Sequence, residues 1–133
     1  MTTTVTTPLV LFLCTGNSCR SQMAEAILRA RAGDRFRAAS AGMSPKAIHP
    51  LTIFVLAESG ISSDALRSKD AAEFLGKHAV RHAIVVCESA QAQCPRVYPM
   101  ANEMHFWPFD DPAAFEGTEE ETLAEFRRVR DQI

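Results

Sequence analysis

Short apolar runs alternate with segments of helical spacing along the whole chain. The apolar runs predict strands over residues 9–14, 36–40, 82–87 and 103–107. Helical patterns cover residues 22–32, 49–60, 69–75 and 88–93, and a last helix begins at residue 119 behind Thr118. Alternating strands and helices favour a parallel sheet with helices on both faces. We therefore expect an α/β protein, a three-layer sandwich around a four-stranded parallel sheet.

The turn between the first strand and the first helix carries the strongest chemical signal. It reads Cys14-Thr15-Gly16-Asn17-Ser18-Cys19-Arg20-Ser21. Backbone N–H groups in such a turn can point inward, and the helix N-terminus adds partial positive charge, which suits a tetrahedral oxyanion. Arg20 offers a planar fork of donors, and the same field favours the nucleophilic thiolate of Cys14. The alternative is a buried strand-end cysteine beside a surface arginine.

Other residues of this turn have expected supporting roles. Asn17 tolerates a left-handed backbone and is expected to hold the loop shape. Ser21 is expected to cap the first helix and to donate a hydrogen bond to the Cys14 thiolate. Cys19 is expected to be a packed thiol. The sequence thus predicts an oxyanion-binding loop over residues 14–21.

Two further cysteines are placed where redox chemistry is possible. With the strand order 2-1-3-4, strands one and three end side by side, at Cys14 and Cys87. Neighbouring strands lie about 4.8 Å apart, and a disulfide needs Cα atoms about 4.4–6.8 Å apart, so this pair can be bridged. Cys94 lies about 10 Å from Cys87 if the segment between them is helical, and joining them requires that segment to unwind. Spacing alone fits two unrelated small residues equally well.

A carboxyl group also falls on the carboxyl side of the sheet. Asp111 stands in Asp110-Asp111-Pro112, in the loop after the fourth strand. There it can protonate an oxygen that leaves a bound oxyanion. The alternative is an Asx-type turn before proline.

Length and charge limit the other possibilities. The 133 residues suit one domain over residues 8–133, behind a disordered lead-in over residues 1–7. A net charge of −2 without a basic cluster argues against nucleic acid or an anionic membrane as a partner. The N-terminus lacks the regions of a signal peptide, so we expect a cytoplasmic protein with reduced cysteines at rest.

The sequence gives little support for a metal site. The histidines at positions 49, 78, 82 and 105 share no ligand spacing. A four-cysteine zinc module of Cys14, Cys19, Cys87 and Cys94 is a rival hypothesis, but zinc ligands usually pair two to four residues apart. Arg20 would also place a cation beside that metal. We therefore predict neither a metal nor another cofactor.

The motifs together resemble the thioredoxin-coupled arsenate reductases, relatives of the low-molecular-weight protein tyrosine phosphatases. The resemblance covers nearly the whole chain. It rests on Cys-Thr-Gly-Asn-Ser-Cys-Arg-Ser-Gln-Met-Ala-Glu over residues 14–25, Ser40-Ala41-Gly42, Pro45-Lys46-Ala47-Ile48, the Cys87 and Cys94 pair with Pro95, Trp107, Phe109-Asp110-Asp111-Pro112-Ala113, and residues 126–131. The phosphatase branch usually has Pro at the position of Gln22 and tyrosines after the Asp-Pro. The additional cysteines favour the reductase branch.

The resemblance implies a fold, a mechanism and a partner. The fold is the low-molecular-weight phosphatase-like sandwich with strand order 2-1-3-4. Cys14 attacks arsenate held by the loop and Arg20, Asp111 acts as acid, and Cys87 and then Cys94 form a disulfide that thioredoxin or another dithiol reduces. We expect a monomer that also binds phosphate weakly. The alternative is a phosphatase that uses Cys14, Arg20 and Asp111 through a phosphocysteine.

Two departures from the family pattern carry expectations of their own. Some members bind potassium near the loop, and Asn17, Glu25 and Ser40 match three of the four positions involved. The fourth falls at Lys69, whose ammonium group is expected to replace the ion, so no potassium requirement is predicted. The chain stops at Ile133, which is expected to shorten the last helix and reduce stability while leaving the site intact.

Overall fold

A computed structural model of the protein describes residues 7–74, 79–87 and 101–133. The strands are β1 (Leu9–Cys14), β2 (Arg37–Gly42), β3 (Val80–Val85) and β4 (Ala101–Phe106). The helices are α1 (Arg20–Ala32), α2 (Pro50–Glu58) and α3 (Glu119–Gln132), with short 3₁₀ turns at Ala71–Phe74 and Pro112–Ala114. No helix among these residues is long and apolar enough to cross a membrane.

The sheet has the predicted topology. Its order is β2-β1-β3-β4 and every pair is parallel, which confirms the α/β fold and the order 2-1-3-4. β1 lies between two strands, and all six of its residues are buried, as is typical of a central parallel strand. The register sets Cys14 opposite Gly42 of β2 and Leu13 opposite Val85 of β3. The carboxyl ends of β1, β2 and β3 therefore meet at one edge of the sheet.

Capping residues explain where the outer helices begin and end. Pro50 occupies the first turn of α2 behind His49, and Gly60 after it has a φ of 73°, a conformation that favours glycine. Thr118 begins α3 as predicted, and its side chain forms a capping box with Glu121.

Several predicted boundaries were wrong by a few residues. β2 extends to Gly42, and β3 begins and ends two residues earlier than predicted. The predicted helix over residues 69–75 is only a 3₁₀ turn at Ala71–Phe74. The predicted helix over residues 88–93 lies outside the described residues, as does most of the lead-in. Thr7 is described, and its carbonyl oxygen accepts a hydrogen bond from Arg37.

Two apolar clusters hold the elements together. One surrounds the sheet and includes the 3₁₀ residues Ala71 and Phe74. The other fills the space between α1, α2 and α3, where Met23, Leu56 and Phe126 are fully buried. The second cluster packs against the start of α1, so it fixes the helix end that borders the predicted oxyanion loop.

Candidate active site

The loop between β1 and α1 is shaped by Asn17. Its φ of 48° makes it the one non-glycine residue with positive φ in the described chain. Its amide nitrogen donates to the Ser21 and Ser40 hydroxyls, both at 2.9 Å, and its Oδ1 accepts from the Lys69 backbone N–H at 2.8 Å. Asn17 is fully buried. The side chain thus fastens the left-handed turn to three separate segments, which agrees with the role predicted for it.

Cys14 lies at the base of this loop and is 2% exposed. Its Sγ is 2.8 Å from Ser21 Oγ and accepts a hydrogen bond from the Asn17 backbone N–H at 3.2 Å. The predicted contact of Ser21 with Cys14 is therefore present. The predicted helix cap is wrong, because α1 begins at Arg20, two residues before the predicted start. Cys19 occupies the cap position, and no side chain of the described residues caps the helix. Ser21 lies within the first turn instead, where it faces the sulfur.

The extension of β2 supports the outer side of the loop. The backbone N–H of Met43 donates to Cys14 O, and that of Ser44 donates to Thr15 O. Gly42 allows this close approach, because a Cβ there would lie 2.7 Å from Thr15 O and 2.8 Å from Asn17 N. These contacts occupy the carbonyl oxygens of Cys14 and Thr15 and so fix the loop against the end of β2.

Gln22 is a loop-positioning residue that sequence reasoning missed. Its Nε2 lies 3.0 Å from both Asn17 O and Asn17 Oδ1 and 2.9 Å from Arg67 O. The sequence showed only that the phosphatase branch usually has Pro at this position. Its acceptor on Arg67 is distant along the chain, so no local pattern could reveal this contact.

Arg20 and Asp111 meet across the cleft. Arg20 NH2 lies 3.5 Å from Asp111 Oδ2, and Arg20 NH1 donates to Phe109 O at 3.1 Å. Asp111 Oδ1 accepts from the Ala113 backbone N–H at 3.0 Å. The Asx-type turn before the 3₁₀ segment is therefore present, made by one oxygen of Asp111, and the other oxygen faces the arginine.

A buried polar cluster lies behind the loop. The Ser40 hydroxyl donates to Glu25 Oε1 at 2.7 Å, and Lys69 Nζ lies 3.4 Å from the same oxygen. Arg29 NH2 contacts the other oxygen of Glu25 at 2.7 Å. Burial lowers the pKa of Lys69, while the neighbouring Glu25 carboxylate opposes that shift. The structure thus brings together Asn17, Ser40, Glu25 and Lys69, as the sequence predicted.

Cys19 differs from Cys14 in its surroundings. Its thiol is buried among helices, and burial raises its pKa from 9.0 to about 11, partly offset by a hydrogen bond with Thr52. A thiol with this pKa stays protonated at neutral pH and is a poor nucleophile. Cys19 therefore fits the packed role predicted for it.

The remaining cysteines are only partly described. Cys14 and Cys19 carry free thiols, whereas Cys87 is disulfide-bonded. Cys87 lies two residues beyond the end of β3, the strand next to β1 and Cys14, and is 3% exposed. Cys94 lies outside the described residues. Among those described, no set of three possible metal ligands includes a cysteine, so this part of the chain gives the zinc module no support.

A cleft of about 550 Å³ opens over the loop. Its walls include Cys14, Arg20 and Asp111, together with Lys46 and His49. Lys46 adds a cation to the rim, and its backbone N–H donates to Gly16 O. The sequence offered Lys46 only as part of a family motif, without a role. The cleft thus combines a buried thiol, donors, cations and a carboxyl group, which are the groups needed for nucleophilic attack on an oxyanion.

Comparisons with known proteins agree with this chemistry. Arsenate reductases of Bacillus licheniformis and Bacillus subtilis are 40% and 38% identical over 127 and 128 residues, which are 93% and 94% of this chain and 88% of each relative. A solved arsenate reductase in the phosphate-binding state superposes with a TM-score of 0.77 at 27% identity, covering 94% of this chain and 89% of that one. A thioredoxin-dependent arsenate reductase of Corynebacterium glutamicum gives 0.60 at 28% identity, covering 95% of this chain and 60% of that one.

The family model described as low molecular weight phosphotyrosine protein phosphatase matches residues 9–133, from the first residue of β1 to the end of the chain. The match spans the cysteine loop, the Arg20–Asp111 pair and all four strands. With this coverage, the chain belongs to the low molecular weight phosphotyrosine protein phosphatase family.

Proposed function

We propose that this protein reduces arsenate to arsenite, with its cysteines supplying the two electrons. The observation that carries the proposal is the position of two cysteines near adjacent strand ends: Cys14 in the oxyanion loop at the end of β1, and Cys87 two residues beyond the end of β3. A phosphatase needs only the first of these. The likeness to arsenate reductases at up to 40% identity supports the same choice.

Binding and attack follow from the geometry of the cleft. The loop N–H groups and the Arg20 guanidinium hold the arsenate oxygens, and Lys46 adds positive charge at the rim. Ser21 Oγ and Asn17 N lie within hydrogen-bond distance of the Cys14 sulfur and hold it at the base of the loop. The thiolate attacks arsenic, and Asp111 Oδ2 gives a proton to the departing oxygen, which leaves as water.

The redox step moves an electron pair onto arsenic. The Cys87 thiolate attacks the Cys14 sulfur, a sulfur–sulfur bond forms, and the arsenic–sulfur pair stays with arsenic, which leaves as arsenite. Cys94 then attacks Cys87 and frees Cys14 as a thiolate. A dithiol reductant of the thioredoxin class reduces the Cys87–Cys94 disulfide and restores the starting state.

Phosphatase activity is the second candidate, because the family model carries that name and Cys14, Arg20 and Asp111 suffice for it. The cleft wall after Pro112 is formed by Ala113, which offers no aromatic ring to stack on a phosphotyrosine. Phosphate shares the shape of arsenate but accepts no electron pair. We therefore expect phosphate to compete with arsenate, and ester hydrolysis to be slow.

A single turnover separates the two functions. Fully reduced protein is mixed with arsenate without reductant, and free thiols, disulfides and arsenite are then measured. Loss of two thiols, a Cys87–Cys94 bridge and one arsenite per chain support the reductase. Four unchanged thiols with no arsenite refute it.

Variants refine this experiment. Cys87→Ser should bind arsenate but release no arsenite, and its hydrolysis of a phosphate ester should be unchanged. Cys19→Ala is the matched control, since Cys19 belongs to the same loop and its thiol stays protonated. It should keep the full arsenite yield. Equal arsenite yields from the wild type and Cys87→Ser would refute the relay.

A further inference from the structure

Two neighbouring strands bring two histidines and a carboxylate together outside the cysteine cleft. β3 and β4 pair in parallel, with His82 opposite Glu103 and Ile84 opposite His105. Since side chains alternate along a strand, these four residues share one face of the sheet. His82 Nδ1 lies 3.1 Å from His105 Nε2 and 3.1 Å from Glu103 Oε2. The register of the sheet, rather than sequence spacing, creates this cluster.

Hydrogen bonds alone do not pair all the nitrogen and oxygen atoms of this cluster. His82 Nδ1 faces two partners at hydrogen-bond distance, and a neutral imidazole nitrogen offers one proton or one lone pair. If it donates to Glu103, it has no second proton for His105. If His105 donates instead, the lone pair of His82 faces the carboxylate. A divalent cation between the three atoms would use one lone pair from each.

The distances match those of a small coordination sphere. In a tetrahedral zinc site, bonds of about 2.0–2.1 Å place neighbouring ligand atoms about 3.3 Å apart. Two of the three separations here are 3.1 Å, and all three ligand atoms lie within 4.8 Å of one another. Two histidines with one glutamate also form a known set of three zinc ligands that leaves a fourth position open. Only small side-chain movements are therefore needed.

The surroundings allow an ion to enter and be held. The Glu103 side chain is 57% exposed and that of His82 is 26% exposed, so the cluster is open to solvent on one side. On the other side, the histidines border a groove of about 360 Å³ whose wall is almost entirely apolar, with Phe12, Leu28 and Trp107 among its residues. Apolar surroundings exclude competing water and strengthen the attraction between a cation and a carboxylate.

We propose that His82, Glu103 and His105 form a binding site for a zinc-like divalent metal ion, with water at the open fourth position. Imidazole and carboxylate ligands together suit Zn²⁺ and its neighbours Co²⁺ and Ni²⁺. The site lies in the middle of β3 and β4, whereas the proposed chemistry occurs at the ends of β1 and β3. It is independent of the arsenate cycle and departs from the sequence-based expectation of no metal site.

Trp107 provides a direct reporter. It is the single tryptophan of the chain, and its ring centroid lies 6.1 Å from that of His105. Reduced full-length protein is titrated with Co²⁺, a paramagnetic quencher, while tryptophan fluorescence is followed. Excess Zn²⁺, which does not quench, is then added. We expect saturable quenching at one Co²⁺ per chain and recovery on addition of Zn²⁺.

Substitutions test which side chains bind the ion. Glu103→Gln and His105→Asn should each weaken Co²⁺ binding at least tenfold. Glu120→Gln, an exposed acid of α3 with the same change in charge, should leave it unchanged. Unchanged binding in Glu103→Gln and His105→Asn would overturn the proposal. So would loss of quenching after the thiols are alkylated, because the metal would then belong to the cysteines.

A measurement on the unmodified protein guards against misfolded variants. The cobalt complex of the wild type should show visible d–d bands without the intense ultraviolet charge-transfer band of a thiolate ligand. Zn²⁺ should also protect His82 and His105, but not His49, from diethylpyrocarbonate, as mapped by mass spectrometry. A thiolate band, or equal modification of all three histidines with and without Zn²⁺, would refute the site.

Discussion

Asn17 offers the sharpest test of how the oxyanion loop is held. Replacing it with Ala removes four side-chain hydrogen bonds, two that it donates and two that it accepts. Ser21 and Ser40 keep other partners, Cys14 and Glu25. The Lys69 backbone N–H is buried and loses its acceptor on Asn17.

The magnitude follows from these contacts. A buried donor without its acceptor costs about 1–3 kcal/mol. Asn17 already carries a Cβ at positive φ, so Asn17→Ala adds little backbone strain, and we expect it to lower the free energy of unfolding by about 2 kcal/mol. Asn17→Gly loses the same hydrogen bonds but adopts the positive φ freely, so it should be more stable than Asn17→Ala by about 1 kcal/mol.

Urea unfolding of the reduced proteins, followed by far-ultraviolet circular dichroism, measures both differences. Asn17→Gly is the control for the backbone conformation, because it differs from Asn17→Ala only by the Cβ. If Asn17→Gly is no more stable than Asn17→Ala, the left-handed backbone at this position does not affect stability. If both variants unfold like the wild type, the loop is not held by this side chain.

Four further predictions concern other parts of the site and fold. With its pKa raised to about 11, Cys19 should react with iodoacetamide at pH 8 about a hundredfold more slowly than in the unfolded chain, measured by mass spectrometry. The folded state holds this proton up to a higher pH than the unfolded state does. Between pH 9 and 11 the free energy of unfolding of the wild type should therefore fall by about 3 kcal/mol, whereas that of Cys19→Ala should not show this loss. Gly42→Ala places a Cβ 2.7 Å from Thr15 O, so it should shift the loop and weaken phosphate binding at least tenfold, measured by calorimetry; unchanged affinity would contradict the close approach. Thr118→Ala breaks the capping box of α3 and should cost about 1 kcal/mol in urea unfolding, while an unchanged midpoint would show that the cap contributes nothing.

Local sequence patterns predicted a helix or strand correctly where a single physical requirement, such as burial or capping, determines its position. The run Leu9–Cys14 was assigned correctly because a central parallel strand is buried on both faces. Thr118 marked the start of α3 because a cap is a local device. β3 was misplaced by two residues, since a continuous apolar run does not show where pairing with β4 begins.

The candidate site was predictable to the extent that it is one continuous loop. Cys14, Arg20 and Ser21 lie within eight residues, and their meeting requires only a strand-to-helix turn. Contacts between distant segments were not predictable. Gln22 reaches Arg67 across 45 residues, and His82 meets His105 across 23 residues through the sheet register. No local sequence pattern indicates that these residues are in contact.

The ammonium group of Lys69 determines how the loop responds to the cations in the surrounding buffer. Its Nζ is bonded to Arg67 O at 2.6 Å and paired with Glu25, directly behind the loop. A positive charge attached to the chain cannot be dialysed away, exchanged for sodium or diluted. We therefore expect the loop to keep the same shape in potassium-rich and potassium-free buffers. The lysine side chain supplies permanently the positive charge that a bound ion would supply only at sufficient concentration.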